Sequence, residues 1–355
     1  MLAFFQRKPK VAGRLIIEGS AFEAPIKPGQ SILQAATVAR IKFPNMCNVG
    51  ECGTCRCRLR EGKVRLKRDI THHISIAELE QGYILGCQAV PEGDVVVQVP
   101  GLSATDESTV STAATITSLR KLTHDILEVR IALERPVRYR AGQYARLAVP
   151  GEPSLADVER NYSFASDAGK DEAATATFFI RHVPGGRFTD WLFAADRAGT
   201  KLQLSAPFGD FYYRPGERPL LLMAGGSGLA PIKAVLEELK ATRVARPVTL
   251  LFGARTQSDL YCLGEIAALA GAWPASFAFY PVLSHEPDGS DWTGDRGLVT
   301  EHFERRVPDL SDRDVYLCGP PAMLDAVIAS VEDSVPRERI HFDKFLDQGS
   351  LARAA

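Results

Sequence analysis

The hydrophobic and polar positions change their period along the chain, and the first hundred residues combine two periods. GRLIIEG (13–19) alternates as a strand does, whereas the apolar residues of ILQAATVARI (32–41) recur at helical spacing. CRCRLREGKVRL (55–66) alternates again, with a turn signal at Glu61 and Gly62 that predicts a strand hairpin. This part of the chain is therefore predicted to be a small mixed α/β unit.

The next stretch, from about 113 to 212, consists of short β segments separated by Pro and Gly. The segments are ATITSLRKL, ILEVRIAL, QYARLAV, ATATFFIRHV and KLQLSAPFG. Short strands with regular turn signals are typical of antiparallel barrels. WLFAADRA (191–198) has helical spacing, so we predict one helix within the barrel.

From residue 218 onward, apolar strands alternate with helices. PLLLMAG (219–225) precedes a helical pattern, and so do PVTLLFGA (247–254) and DVYLCG (314–319). This βαβ rhythm predicts an α/β, doubly wound parallel sheet. With the polar stretch GLSATDESTVST as a boundary, we predict a domain over 1–102, a linker over 103–112, and further domains over 113–214 and 215–355.

Charge and composition exclude several kinds of partner. The net charge of the 355 residues is -1, so the whole molecule presents no basic field for nucleic acid or anionic lipid. No apolar run approaches the roughly 18 residues of a membrane helix. The N-terminal LAFF is followed at once by QRKPK, unlike a signal peptide, and we expect a cytoplasmic protein.

The net charge conceals an uneven distribution. Residues 1–101 carry 14 Lys and Arg against 9 Asp and Glu, a surplus of five positive charges. The remaining residues carry 28 basic and 34 acidic side chains, a surplus of six negative charges. Such asymmetry indicates modules that attract each other or an external partner.

Five of the seven cysteines lie in the first quarter of the chain. Four of them have the spacing of a plant-type 2Fe–2S site, C-x4-C-x2-C followed by a distant cysteine: Cys47, Cys52, Cys55 and Cys87. Gly50 and Gly53 let the loop turn its N–H groups toward a negative cluster. A four-cysteine zinc site is the alternative, but it usually has two closely spaced pairs. We expect Cys57 to be a packed neighbour, not a ligand.

The cysteine spacing gives residues 12–100 a resemblance to plant-type ferredoxins, which implies an α+β fold of the β-grasp type. Free ferredoxins of this kind are usually acidic, whereas this segment is basic around Lys63, Arg65, Lys67 and Arg68. A solvated hairpin face and a docking surface explain that run equally well. His72 and His73 are expected to face solvent or to pack at a helix entry.

A second motif, Arg160-Asn161-Tyr162-Ser163, matches the Arg-x-Tyr-Ser element of the ferredoxin-NADP reductase-like flavin domain. The resemblance implies that Arg160 neutralises a pyrophosphate, that Tyr162 lies against the flavin, and that Ser163 reaches the reacting ring. Asn161 lies within the same motif. Downstream, Gly185 and Gly186 resemble the glycine turn before a helix whose N-terminus receives the same pyrophosphate, and Thr189 is expected to cap that helix and to donate to the phosphate.

The third motif is a glycine-rich turn between an apolar strand and a helix, formed by Gly225, Gly226, Ser227 and Gly228. Such a turn directs backbone N–H groups and the helix dipole at a dinucleotide. It resembles the Gly-Gly-x-Gly-x-x-Pro element of the reductase family. In that family the cysteine matching Cys318 lies beside the nicotinamide, and Gly319 and Pro320 follow it.

Two further residues bear on the cofactors. Arg255 ends the second strand, where an adenosine ribose would lie, and either holds a 2′-phosphate or pairs with Asp259. No other basic cluster accompanies it, so NADH is favoured over NADPH. Phe345 is the candidate aromatic residue for the flavin face, although ten residues follow it, unlike in plant-type reductases. FAD is favoured over FMN, because the third domain resembles the nucleotide-binding half of the reductase superfamily.

The three motifs in this order resemble the one-chain NADH reductases of bacterial multicomponent oxygenases, of the benzoate 1,2-dioxygenase reductase type. The resemblance implies that electrons pass from NADH through FAD and a 2Fe–2S cluster to the terminal oxygenase of a Rieske aromatic-ring dioxygenase system. The reductase of a soluble diiron monooxygenase has the same layout. The chain is expected to be a monomer and holds no Rieske or diiron ligand set of its own. A zinc-stapled nucleotide-binding module without electron transfer is a more distant alternative.

Overall fold

The computed structural model describes residues 12–20, 22–39, 41, 43–45, 50, 53–99, 109–169 and 172–345. These residues fall into two compact units that divide between Thr109 and Val110. The second unit extends from Val110 to Phe345.

The N-terminal unit is built on a five-stranded sheet in the order β2-β1-β7-β3-β5. Its elements are β1 (Gly13–Ile17), β2 (Glu23–Ile26), α1 (Ile32–Val38), β3 (Arg56–Glu61), β4 (Val64–Leu66), α2 (Ile76–Glu80), β5 (Tyr83–Leu85), β6 (Ala89–Pro91) and β7 (Val95–Gln98). β1 is antiparallel to β2 and parallel to β7, and β7 continues antiparallel to β3. The helix α1 covers the sheet because its apolar stripe, including Ile32 and Ala36, is buried in the core. This is the predicted β-grasp arrangement.

The predicted hairpin around Glu61 and Gly62 is wrong. β3 pairs with β5 and β7, whereas β4 pairs with β6 in a separate two-stranded sheet. Gly62 has a φ of +93°, and a Cβ there would lie 2.4 Å from the carbonyl oxygen of Asp94. The chain therefore turns tightly against Asp94 and leaves the main sheet instead of folding back onto β3.

The first part of the C-terminal unit is a six-stranded antiparallel sheet in the order β11-β10-β13-β8-β9-β12. Its elements are β8 (Val110–Lys121), β9 (Ile126–Val137), β10 (Tyr144–Ala148), β11 (Glu159–Ser163), β12 (Ala173–Arg181), α3 (Arg187–Phe193) and β13 (Lys201–Phe208). A bridge between Phe164 and Phe178 links the two edges and closes the barrel that the β segments predict. Both rings are fully buried in its interior.

Two boundaries that we predicted from the sequence differ from those that the structure shows in this part of the fold. β8 begins at Val110, inside the predicted linker over 103–112, and residues 100–108 lie outside the described residues. The helix predicted over 191–198 is α3, which ends at Phe193. It begins directly after Gly186, because the glycine turn sets its start, and Arg197 instead donates hydrogen bonds to the carbonyl of Trp191.

The second part of the C-terminal unit is a parallel sheet in the order β17-β16-β15-β14-β18-β19, with helices between its strands. Its elements are β14 (Leu220–Gly225), α4 (Leu229–Ala241), β15 (Val248–Ala254), α5 (Leu263–Gly271), β16 (Phe277–Leu283), β17 (Asp295–Arg296), α6 (Phe303–Arg306), β18 (Asp314–Gly319), α7 (Pro321–Val331) and β19 (Ile340–Lys344). The chain runs outward from β14 to β17 and then returns to the other side of β14. The switch point between β14 and β18 is where ligands bind in open α/β sheets.

In the part of the chain that the structure describes, no helix is long and apolar enough to cross a membrane.

Candidate functional site

Hydrogen-bond donors of the N-terminal unit point at the sulfur atoms of two predicted ligands, Cys55 and Cys87. The backbone N–H of Cys87 donates to Sγ of Cys55 at 3.4 Å, and Nε2 of Gln88 donates to Sγ of Cys87 at 3.4 Å. Both cysteines are buried. Gly50 and Gly53 have φ angles of +91° and +70°, which side-chain-bearing residues rarely adopt. Thiolate ligands stabilised by N–H donors suit an iron–sulfur cluster.

The other two predicted ligands, Cys47 and Cys52, lie outside the described residues. Cys57 is fully buried on β3 among the apolar core residues of the N-terminal unit. Burial raises the pKa of its thiol, and the charge of Cys87 adds to this effect. Its surroundings are those of the packed neighbour that we expected.

His72 and His73 lie beside Gly50 and Gly53, the two described glycines of the cysteine segment. Nε2 of His72 lies 3.2 Å from the carbonyl oxygen of Gly50, and the ring of His73 lies in van der Waals distance of the position that a Gly53 side chain would occupy. No local pattern in the sequence indicates this contact, because 22 residues separate Gly50 from His72. We infer that the pair helps to fix the loop.

The motif Arg160–Ser163 is β11 itself. The guanidinium of Arg160 donates to the carbonyl of Glu159 at 2.9 Å, and no described carboxylate lies within ion-pair distance of it. This cation is therefore available to an anionic ligand such as a pyrophosphate. Asn161 is exposed, whereas Ser163 is buried at the end of the strand.

Tyr162 connects this motif to the glycine turn before α3. Its ring lies 5.4 Å from the ring of Phe188, in the first turn of the helix, and burial raises the pKa of its hydroxyl. The two elements that the resemblance assigns to one pyrophosphate are therefore adjacent. Gly185 adopts a φ of +77° in the turn.

Thr189 supports this turn from inside. Gly186, not Thr189, occupies the N-cap position of α3, so the expectation that Thr189 is the cap is wrong. The Thr189 hydroxyl donates to the carbonyl of Val183 at 3.0 Å and accepts from its N–H at 3.1 Å. These bonds hold the loop closed, which explains why a short hydroxyl side chain stands there.

The glycine-rich turn and the Cys318 segment meet at the switch point of the parallel sheet. A Cβ on Gly228 would lie 2.2 Å from the carbonyl oxygen of Cys318, and one on Gly319 would lie 3.0 Å from the backbone N of Gly225. Only residues without a side chain allow this approach. Ser227 lies within the turn, and Pro320 packs beside Gly225 at the start of α7. The two predicted nicotinamide motifs are thus parts of one surface.

The structure adds Asp343 to this surface. Oγ of Ser163 donates to Oδ2 of Asp343 at 3.4 Å, and Asp343 is the register neighbour of Cys318 on β19. Burial raises the pKa of Asp343 to about 7, and the hydrogen bond from Ser163 opposes that rise. Burial, together with the charge of Asp343, raises the pKa of the Cys318 thiol. Ser163, Cys318 and Asp343 form a buried cluster.

Phe345 follows directly after β19. Its N–H donates to the carbonyl of Gly319 at 2.9 Å, and its ring is partly buried against the apolar cluster that contains Cys318. The predicted aromatic residue is therefore anchored at the Cys318–Gly319 segment. The ten residues that follow it lie outside the described residues.

Arg255 is paired with acidic residues. Its Nη2 lies 3.4 Å from Asp259 and 3.6 Å from Asp125, so the guanidinium already faces two carboxylates. A 2′-phosphate placed at the end of β15 would meet these two carboxylates. Of the two roles that the sequence left open for Arg255, the structure shows the ion pair with Asp259. This pair favours NADH over NADPH.

Replacing Asp259 by Asn is expected to raise the ratio of kcat/KM for NADPH to that for NADH about tenfold, because one carboxylate no longer repels the 2′-phosphate. The amide oxygen of Asn retains the bond from the Thr256 N–H that begins the following turn. Asp312→Asn, an exposed partner of Arg218, is the matched control. Steady-state rates with both nucleotides measure the ratio, and an unchanged ratio in Asp259→Asn would contradict this role.

Two residues near the glycine turn carried no signal in the sequence. The hydroxyl of Tyr261 donates to the carbonyl of Gly226 at 2.9 Å, and its ring packs edge-on against Phe179 and Phe252. A guanidinium nitrogen of Arg181 lies 3.9 Å from where a Gly226 side chain would begin. Tyr261 fixes the turn and Arg181 brings a cation beside it.

Comparison with protein families separates the chain into three matched segments. Residues 15–92 match the 2Fe–2S iron–sulfur cluster binding domain, 113–213 the oxidoreductase FAD-binding domain, and 222–328 the oxidoreductase NAD-binding domain. The chain is 37% identical over 341 residues to the electron transfer component of xylene/toluene monooxygenase from Pseudomonas putida, covering 96% of this chain and 95% of that protein. The chain belongs to the family of electron-transfer reductase components of oxygenase systems.

Further similarities agree with this assignment. The toluate 1,2-dioxygenase electron transfer component of Pseudomonas putida is 33% identical over 89% of this chain and 93% of its own length. The crystal structure of an Amycolatopsis cytochrome P450 reductase superposes with a TM-score of 0.76 at 33% identity, covering 94% of this chain and 98% of that one. The chain is thus an NADH-dependent oxidoreductase with FAD and a 2Fe–2S cluster as its cofactors. The predicted fold classes are confirmed.

Proposed function

We propose that this chain carries electrons from NADH to the terminal oxygenase of an aromatic-ring oxygenase system, a Rieske dioxygenase being the first candidate. The observation that carries the proposal is similarity over nearly the whole chain to electron transfer components of xylene/toluene monooxygenase and toluate 1,2-dioxygenase. Both of those proteins serve oxygenases of aromatic compounds by name.

When bound, FAD accepts the hydride of NADH as an electron pair, and the cluster passes electrons on singly. The residues of the chain hold and tune these groups. Gly225–Gly228 and Cys318–Gly319 offer backbone N–H groups and space for the nicotinamide dinucleotide. Arg160 offers a cation to the FAD pyrophosphate.

The buried cluster at the switch point orients the reacting groups. We assign Ser163 and Cys318 as the side chains that contact the flavin and nicotinamide rings, and Phe345 as the aromatic cover of the flavin. Asp343 is a positioning residue, since it acts through the hydroxyl of Ser163. Its environment keeps water away from the carboxyl group, which is why its ionisation is difficult.

In the N-terminal unit, we assign Cys47, Cys52, Cys55 and Cys87 as the cluster ligands. The N–H of Cys87 and the side-chain amide of Gln88 both point at described ligand sulfurs. Donors of this kind stabilise the additional negative charge of the reduced cluster. The surroundings are therefore suited to accepting an electron.

Arg160→Ala is expected to weaken FAD retention about tenfold or more, because a charge-assisted contact to the pyrophosphate is lost. Ser163→Ala should retain FAD and instead slow its reduction by NADH. Flavin content after gel filtration and the rate of flavin bleaching separate the two effects. Equal flavin retention in wild type and Arg160→Ala would count against the assignment.

The proposed partner is tested by reconstitution. The holoenzyme is mixed with NADH, substrate and one of two acceptors, the oxygenase of toluate 1,2-dioxygenase or the hydroxylase of a soluble diiron phenol monooxygenase. We expect oxygenated product coupled to NADH oxidation with the dioxygenase. Product formed only with the diiron hydroxylase, or with neither acceptor, would overturn the proposal.

Two further properties belong to this proposal. We propose that the chain works as a monomer in the cytoplasm, where its cysteines remain reduced for cluster assembly. Light scattering on the holoenzyme should give the mass of one chain, 38.7 kDa plus its cofactors. A mass twice as large at working concentration would contradict the monomer.

A further inference from the structure

We propose that the exposed face of β4, formed by Lys63, Arg65 and Lys67, is the surface on which an acidic electron-accepting protein docks to draw electrons from the cluster. We call these three residues the β4 basic row. The inference rests on the proposed function in one respect, since it takes the terminal oxygenase to be that acceptor.

Strand alternation creates the row. Val64 and Leu66 pack against the core of the N-terminal unit, so the residues between and beside them point the other way. All three members of the row are exposed. At a strand rise of about 3.3 Å per residue, the three charges extend over roughly 13 Å. They form a continuous basic stripe on one face of a rigid strand.

The charges of the row are not used within the described structure. No described carboxylate lies within ion-pair distance of Lys63, Arg65 or Lys67. Three other arginines of the same unit form ion pairs: Arg14 with Asp94, Arg56 with Glu78, and Arg60 with Glu18. Charges left unpaired on one strand remain available to an external partner.

Hydrogen bonds connect the row to Cys87, a predicted cluster ligand. The backbone N–H of Lys67 donates to the carbonyl of Gln88 at 2.9 Å. The side chain of Gln88 donates to Sγ of Cys87, and its Cγ lies 2.9 Å from where a Gly50 side chain would begin. In this series of hydrogen bonds, Gln88 is the one residue between Lys67, at the end of the row, and Cys87. An acceptor seated on the row would be held beside the electron donor.

A row of unpaired charges on this strand is also compatible with two simpler roles. Within the described residues β4 pairs with β6 alone, and charged side chains on an edge strand prevent aggregation without binding anything. The row could also attract the acidic remainder of its own chain. We favour the external acceptor, because the covalent link already gives the two units a high effective concentration and leaves charge steering to the encounter between proteins.

The test uses the holoenzyme and two haem proteins of opposite charge, the acidic cytochrome b5 and the basic cytochrome c. K63Q/R65Q/K67Q is compared with K27Q/K121Q/K240Q, which removes the same charge from exposed lysines elsewhere. Rates of haem reduction by the NADH-reduced enzyme are measured by stopped flow over a range of salt concentrations. The cluster absorption and EPR spectra of both variants should equal those of the wild type. Cys87→Ser shows which part of each rate passes through the cluster.

We expect the row variant to reduce cytochrome b5 about tenfold more slowly at low salt and to lose most of its salt dependence, because the steering charges are gone. Its reduction of cytochrome c should stay equal or rise. The scattered variant should change both rates by less than about twofold.

If both variants lose the same share of the rate of cytochrome b5 reduction, the effect comes from net charge and not from the row. If the rate of the row variant is unchanged, β4 is an ordinary edge strand. A row variant that slows reduction of its own cluster by NADH would indicate internal docking. Each of these results overturns the proposal. An oxygenase that fails to accept electrons while the cytochrome b5 result holds would instead contradict the proposed function alone.

Discussion

Replacing Cys87 by Ser is expected to lower the rate of cytochrome c reduction by NADH by about a hundredfold, while ferricyanide reduction stays within about twofold of the wild type. Ferricyanide accepts electrons at the flavin, whereas the protein acceptor depends on the cluster. Cys87 is buried, and both its N–H and its Sγ belong to the hydrogen bonds around the predicted cluster. The 2Fe–2S absorption and EPR signals should disappear together with the rate.

Cys57→Ala is the matched control, because Cys57 is a buried cysteine of the same unit and lies on β3. It should keep the cluster spectrum and lose about 1 kcal/mol of stability through the removed sulfur. A Cys57→Ala protein that folds but lacks the cluster, or a Cys87→Ser protein that keeps a normal one, would show that the ligand set is wrong.

The second large effect concerns Asp343. We expect the rate of flavin reduction by NADH to fall about tenfold as the pH rises through about 7 in the wild type, because an ionised Asp343 would add negative charge beside Ser163, the side chain that we assign to the flavin ring. Asp343→Asn should keep the faster rate at all pH values. Ser163→Ala should move the midpoint to higher pH, since the hydrogen bond from Ser163 lowers the pKa of Asp343. Stopped-flow bleaching of the flavin measures both.

The free energy of unfolding should also depend on the ionisation of Asp343. The pKa of Asp343 is raised above its unfolded value of 3.8 to about 7, so its contribution to stability is fully present below about 3.8 and is lost as the pH rises from there to about 7. Asp343→Asn should therefore be more stable than the wild type above that pH, by up to about 4 kcal/mol, and the difference should vanish in acid. If Asp343→Asn keeps the wild-type pH dependence of both the rate of flavin reduction and the free energy of unfolding, Asp343 controls neither quantity.

What the sequence predicted well depends on local signals. The spacing of the cysteines, the Arg160–Ser163 strand and the glycine turn at Gly225–Gly228 each occupy one short segment. In the glycine turn, a Cβ on Gly228 would lie 2.2 Å from the carbonyl oxygen of Cys318, so only glycine fits there. The barrel and the parallel sheet follow from the period of apolar residues, which is also local. Their order along the chain was enough to indicate the family.

What the sequence did not predict depends on long-range pairing. Asp343 meets Ser163 across 180 residues, and only the register of β19 against β18 places it beside Cys318. The failed hairpin at Gly62 has a similar cause, because alternation predicts strands but not their partners. β4 leaves β3 for β6, and this change exposes the β4 basic row on a separate edge.

Central to the proposed function is electron transfer from NADH through FAD to the 2Fe–2S cluster within one chain. Anaerobic stopped-flow mixing of the holoenzyme with NADH, followed at flavin and cluster wavelengths and by EPR of the frozen product, tests it most directly. We predict that the flavin bleaches first and the cluster afterwards, at a rate that does not depend on protein concentration. A flavin that bleaches while the cluster stays oxidised, or a colourless protein that contains zinc, would contradict it.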